Sequence, residues 1–81
     1  MKKTVRVRYF AILREQSGLD EETVTTAAPT AAELYDELRT RHGFVLARER
    51  LRVAFNDDFR AWTTPLQDGD TLVFIPPVAG G

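Results

Sequence analysis

Asp68-Gly69-Asp70-Thr71-Leu72-Val73-Phe74-Ile75-Pro76-Pro77 is the stretch on which the fold turns. Asp-Gly-Asp is turn chemistry, because glycine reaches backbone angles closed to other residues and aspartate side chains bond nearby amides. Leu72 to Ile75 is apolar at every position, so both faces of this strand are covered: it is central, or one face meets a partner. Two prolines then end the strand, since proline has no N–H to donate to a ladder.

The rest of the chain supplies the neighbours of that strand. Residues Thr4 to Phe10 alternate, with Val5, Val7 and Tyr9 on one face and Arg6, Arg8 and Phe10 on the other, which predicts a strand with one face on a core. A short helical turn over Ala11 to Glu15, closed by Ser17-Gly18, leads into a threonine-rich edge strand over Glu21 to Thr26. Thr30-Ala31-Ala32-Glu33 has the capping-box form and opens a helix whose apolar stripe is Ala31, Leu34, Tyr35 and Leu38. Gly43 is its expected stop, and His42 is expected as a last-turn surface residue beside the negative helix end. Phe44 to Arg50 suggests a helical turn with Phe44 and Leu46 facing inward. Leu51, Val53 and Phe55 alternate as a third strand; Asn56-Asp57-Asp58 is a tight turn, and Phe59 to Trp62 a short fourth strand.

Strand, strand, helix, two or three strands and tail, with the last strand beside the first in mid-sheet, is an α+β, β-grasp (ubiquitin-like) order. It implies a mixed sheet of four to five strands with one main helix on one face. The expected division is a domain over residues 1–75 and an extended tail over residues 76–81.

Composition narrows the chemistry. The 81 residues are 43% hydrophobic and 28% charged, with a formal net charge of −1, which fits one small globular domain and gives no global reason to expect nucleic acid or membrane as partner. No apolar run approaches a membrane span, and the N-terminus lacks the apolar stretch of a secretion signal, so a cytoplasmic protein is expected. With no cysteine there is no thiolate nucleophile, persulfide or cysteine-based zinc site. Asp57, Asp58, Asp68 and Asp70 lack an EF-hand spacing and are explained by turns. Seven arginines (Arg6, Arg8, Arg14, Arg48, Arg50, Arg52 and Arg60) are expected as a solvated rim.

What remains is the tail, Pro76-Pro77-Val78-Ala79-Gly80-Gly81. Its six residues could reach about 20 Å from the domain body, and the prolines restrict the free tail to extended forms. A C-terminal glycine exposes its acyl carbon with no Cβ to block approach, and Gly80 frees the backbone behind it. An ionised carboxylate is a poor electrophile and needs a leaving group before a nucleophile can attack it. Phe10, Phe59, Trp62 and one face of Leu72 to Ile75 exceed what one helix can cover. They either complete the core or form a docking face, with Phe10 and Phe74 as the candidates to touch a partner.

Two stretches carry a family likeness. Val7-Arg8-Tyr9-Phe10-Ala11-Ile12-Leu13-Arg14-Glu15, and the whole run from Pro65 to Gly81, resemble the start and the ending of the small, sulfur-carrier subunits of molybdopterin synthase. The resemblance implies that Gly81 is adenylated by a ubiquitin-activating-like adenylyltransferase using ATP. A sulfurtransferase then supplies the sulfur that makes it a thiocarboxylate. The tail, with Pro76, Pro77, Val78, Ala79 and Gly80, would enter the large synthase subunit, in a heterotetramer of two large and two small subunits. There it would give sulfur to cyclic pyranopterin monophosphate, forming the molybdopterin dithiolene. The chain would bind no cofactor or metal itself and would catalyse nothing alone. A carrier for another product, such as the thiazole of thiamine, and a ubiquitin-like modifier of lysines are the alternatives. The Phe-Ala-x-Leu-Arg-Glu segment and the Pro-Pro-Val-Ala-Gly-Gly ending favour the first reading.

Overall fold

The computed structural model describes residues 2–77. Along the chain come β1 (Lys3–Tyr9), α1 (Ala11–Ser17), β2 (Glu21–Thr26), α2 (Ala31–His42), a 3-10 turn (Arg48–Arg50), β3 (Arg52–Phe55), β4 (Asp58–Arg60) and β5 (Thr71–Ile75). The strands form one sheet in the order β2-β1-β5-β3-β4. β5 is central, parallel to β1 and antiparallel to β3, while β1–β2 and β3–β4 are antiparallel. This is the β-grasp arrangement, with α2 as the main helix on one face. α1 is a full two-turn helix, ended by Gly18 at φ 77°.

Pairing register decides which residues meet the helix. Val7 pairs with Leu72 and Tyr9 with Phe74, so these residues share a face with Val5. From the other side Val53 pairs with Phe74, and Phe55 with Leu72. All are buried, and α2 covers them with its stripe of Ala31, Leu34, Tyr35 and Leu38. The aromatic centre is Phe74, whose ring lies 5.2 Å edge-on from Tyr35 and 5.7 Å stacked on Trp62. Tyr35 keeps its hydroxyl satisfied by donating to the Leu46 carbonyl at 2.7 Å, as a buried hydroxyl must.

The turns are built as their residues dictate. Thr30 and Glu33 form the capping box of α2, the Glu33 carboxylate accepting from the Thr30 N–H at 3.0 Å. Two more amides of that first turn, on Ala31 and Ala32, donate to the carbonyls of Thr64 and Trp62 at 3.2 and 3.0 Å, so the helix start is tied to the loop before β5. Asn56 and Asp57 take φ of 50° and 79°, both left-handed, as the tight hairpin between β3 and β4 requires. Gly69, at φ 89°, donates to the Thr4 carbonyl at 2.8 Å, and the Asp68 carboxylate accepts from the Thr4 N–H at 2.8 Å. The Asp-Gly-Asp loop thereby seats β5 beside the start of β1.

Two elements differ from expectation. β4 ends at Arg60, because Trp62 turns inward to cover Phe74 rather than continuing the strand. His42 is no surface residue: its side chain is 13% exposed and its Nε2 lies 2.7 Å from the Glu22 carboxylate.

Candidate functional site

Gly80, Gly81, Val78 and Ala79, the tail residues singled out in the sequence, lie outside the described residues. What the structure does describe is where the tail leaves the body. Pro76 is half-buried and Pro77 exposed. Both line an open groove of about 440 Å³ with Arg50, Leu51, Arg52, Phe59 and Ile75. Because β1 and β5 run parallel, the end of β1 lies at the same edge, and Phe10 and α1 follow directly from it.

The outer face of the sheet leads into that groove. Cross-strand register places Arg8 beside Val73, Val73 beside Ala54, and Ala54 beside Phe59, one row across four strands. Ile75 and Arg52 form a second pair nearer the tail. Phe59 is 62% exposed and Phe10 41%, whereas Ala54, short and set between Val73 and Phe59, is buried even on this side. The Arg8 guanidinium lies 5.7 Å from the centre of the Phe10 ring, and that of Arg52 5.8 Å from Phe59. An apolar strip with large side chains exposed at its ends is the composition of a surface that meets another protein.

Phe74 must be removed from the candidate contacts. It is fully buried, because parallel pairing with Tyr9 points it at α2. A period of two groups Leu72 with Phe74 and Val73 with Ile75 but does not say which pair faces the helix; the apolar residues of β5 available to a partner are Val73 and Ile75. Trp62 likewise belongs to the core margin. Phe10, Pro76 and Pro77 lie at the same end of the sheet.

A polar node at the same end escapes the sequence reading. Glu22, on the helix-facing side of β2, accepts a hydrogen bond from the Tyr9 hydroxyl at 2.5 Å and pairs with His42, the last residue of α2. Burial would raise the Glu22 carboxyl, but the bonds from Tyr9 and His42 outweigh it and hold the group below the ordinary carboxylate range. Burial, and the bond to Glu22, push the Tyr9 phenol far up. The signal was available: strand alternation puts Glu22 on the same side as Val24. The node ties together β1, β2 and α2.

Asp68 and Asp70 give their carboxylates to the amides of Thr4 and Gln67, which is turn bonding. Among the described residues no three of His, Cys, Asp or Glu gather as a metal group. No described helix is long and apolar enough to cross a membrane.

The chain is similar to known proteins over almost all of its length. Over 80 residues it is 34% identical to the molybdopterin synthase sulfur carrier subunit of Escherichia coli K12, spanning 95% of this chain and 99% of that one. Its fold superposes on a putative molybdopterin converting factor subunit 1 from Pyrococcus furiosus with TM-score 0.78 and 28% identity, over 94% and 99% of the two chains. It also superposes on a chain of the complex of subunits 1 and 2 of molybdopterin-converting factor from Helicobacter pylori 26695, with TM-score 0.62 and 32% identity, over 96% and 99%. Residues 7–81 match the model of the ThiS family, and with a relative this similar from end to end the chain belongs to that family.

Proposed function

We propose that this chain is the sulfur-carrier subunit of a molybdopterin synthase. The observation that carries the reading is the similarity to the Escherichia coli carrier subunit over 95% of this chain and 99% of that one. Residues 1–75 act as the body and residues 76–81 as an arm. The functional group is the carboxyl of Gly81. An adenylyltransferase joins it to the AMP of ATP, releasing pyrophosphate; sulfur from a sulfurtransferase then attacks the acyl carbon, and AMP leaves. The thiocarboxylate gives its sulfur to cyclic pyranopterin monophosphate inside the large subunit, and hydrolysis of the acyl group left behind restores the Gly81 carboxylate. Two small and two large subunits make the working synthase, in the cytoplasm, where ATP is at hand.

In this reading the described residues dock and the arm delivers. Phe10, Val73, Ile75 and Phe59 bury against the large subunit, and Pro76 and Pro77 aim Val78, Ala79, Gly80 and Gly81 into its channel. The Helicobacter pylori neighbour in complex with its subunit 2 supports such a pairing. The small chain lacks a nucleophile of its own among its cysteines, having none, so chemistry is left to the proteins it visits.

Intact-mass measurement tests the reading. After incubation with the adenylyltransferase, ATP and a sulfur source, the chain gains the mass of one oxygen replaced by sulfur. Deletion of Gly81 abolishes the gain while the far-UV spectrum stays that of the folded domain. Adding the large subunit and the pterin precursor yields the dithiolene product; a thiocarboxylate that forms but makes no dithiolene would refute the synthase assignment and leave another sulfur pathway.

A further inference from the structure

Arginines on and around the sheet occur in two distinct situations. Arg6, Arg14 and Arg60 each lie within 4.0 Å of a carboxylate of this chain, on Glu21, Asp20 and Asp58. Among the described residues Arg8 and Arg52 have no such carboxylate. Instead each guanidinium lies over a phenyl ring, Phe10 or Phe59. Stacking of this kind restrains the guanidinium while leaving its N–H edge open, and a guanidinium gives up water more readily than an ammonium.

These two stacked pairs bracket the apolar strip. Arg8 is on β1 opposite Val73, and Arg52 on β3 opposite Ile75, with β5 between them. Two strand spacings across and two residues along put their Cα atoms about 12 Å apart. The geometry points to a partner surface that lays an apolar ridge along Val73 and Ile75 and sets one carboxylate against Arg8 and another against Arg52. This inference rests on the docking face proposed above and gives that face its charge code: the large subunit meets it with two acidic side chains about a strand-pair apart.

Nucleic acid is the other anionic partner a cationic face could take. A continuous phosphate backbone calls for a continuous basic stripe, and here the residues between Arg8 and Arg52 on β5 are the apolar Val73 and Ile75, while Arg6, the next arginine on β1, already lies 4.0 Å from Glu21. Two isolated sites flanking apolar side chains fit discrete acidic residues on a protein.

Titration calorimetry of the whole chain against the large subunit, at low and high salt, tests the inference. Variants Arg8→Gln and Arg52→Gln, checked for an unchanged melting temperature, each weaken binding about tenfold, as expected for loss of a charge-assisted hydrogen bond, and flatten the salt dependence. Arg52→Glu binds more weakly than Arg52→Gln, a repulsion that a merely steric role would not produce. Val73→Asp reads the docking face separately. If Val73→Asp abolishes binding while the arginine variants match the wild type at both salts, the charge code is wrong and the docking face stands. If Val73→Asp binds as the wild type does, the docking face fails and the inference with it. Binding of a duplex oligonucleotide that Arg8→Gln and Arg52→Gln abolish would overturn it in favour of nucleic acid.

Discussion

Replacing Phe74 with alanine, and in parallel Phe10, separates the core from the docking face. Phe74 is fully buried, with the Tyr35 ring 5.2 Å away edge-on and Trp62 stacked at 5.7 Å. Truncation there removes a whole ring and leaves a cavity that α2 and β5 cannot both close, at a cost of about 3–5 kcal/mol. A domain this small holds on the order of 5 kcal/mol or little more, so Phe74→Ala unfolds a large share of the molecules at room temperature. Phe10 is 41% exposed; its truncation costs less than about 1 kcal/mol. With a urea slope near 1 kcal/mol per molar for a chain of this size, the first variant shifts the unfolding midpoint by about 3 M or more and the second by less than about 1 M. Fluorescence of Trp62, the only tryptophan, reports both transitions and responds directly to loss of the stacked ring. Similar midpoints for the two variants would refute the assignment of Phe74 to the core.

The Glu22 node should shape stability at both ends of the pH scale. Glu22 has a lowered folded pKa, so its contribution is present above the unfolded value of about 4.3 and is lost as pH falls through the folded one; Glu22→Gln is less stable at neutral pH and has a shallower acid limb in urea melts. Tyr9 has a raised folded pKa, so its contribution is whole below about pH 10 and fades as pH climbs above it, and Tyr9→Phe flattens the alkaline limb. At the end of α2, Gly43 sits at φ 72° with open space where a Cβ would go. Gly43→Ala therefore costs about 1 kcal/mol from backbone strain alone, read as a fall of roughly 4–8 °C in melting temperature; a larger loss would mean that contacts, not conformation, hold that position.

The strands and helix that repeat simply were legible from their spacing. β2 occupies the expected Glu21 to Thr26, and α2 begins and ends at its Thr30 cap and Gly43 stop. Local chemistry sets those boundaries, so local sequence reveals them. β5 was legible as central because both faces are apolar, but the face of Phe74 was not, since only pairing with Tyr9 and Val53 fixes it. A strand from Phe59 to Trp62 is the natural continuation of the Asn56-Asp57-Asp58 turn, whereas Trp62 in fact packs on Phe74 at the core margin. The Glu22 node joins residues from three elements, and no single window of sequence holds it. Of the candidate contacts, Phe10, Pro76 and Pro77 share one edge of the sheet because β1 and β5 run in parallel. The arginine brackets depend on which carboxylates already serve Arg6, Arg14 and Arg60, which is a property of the folded surface.

β5 is the last of the five described strands in chain order and the one on which the sheet closes. Until Thr71–Ile75 arrives, the β1–β2 and β3–β4 hairpins have no strand to join them, since neither pairs with the other. Folding of this domain thus waits on β5, and the long loop closure from β1 to β5 slows the step. The residues that follow Ile75 are attached to that same keystone. A misfolded copy lacks the seated strand from which Pro76 and Pro77 leave the sheet, so a partner that grips the sheet face and the proline base together takes up only folded molecules.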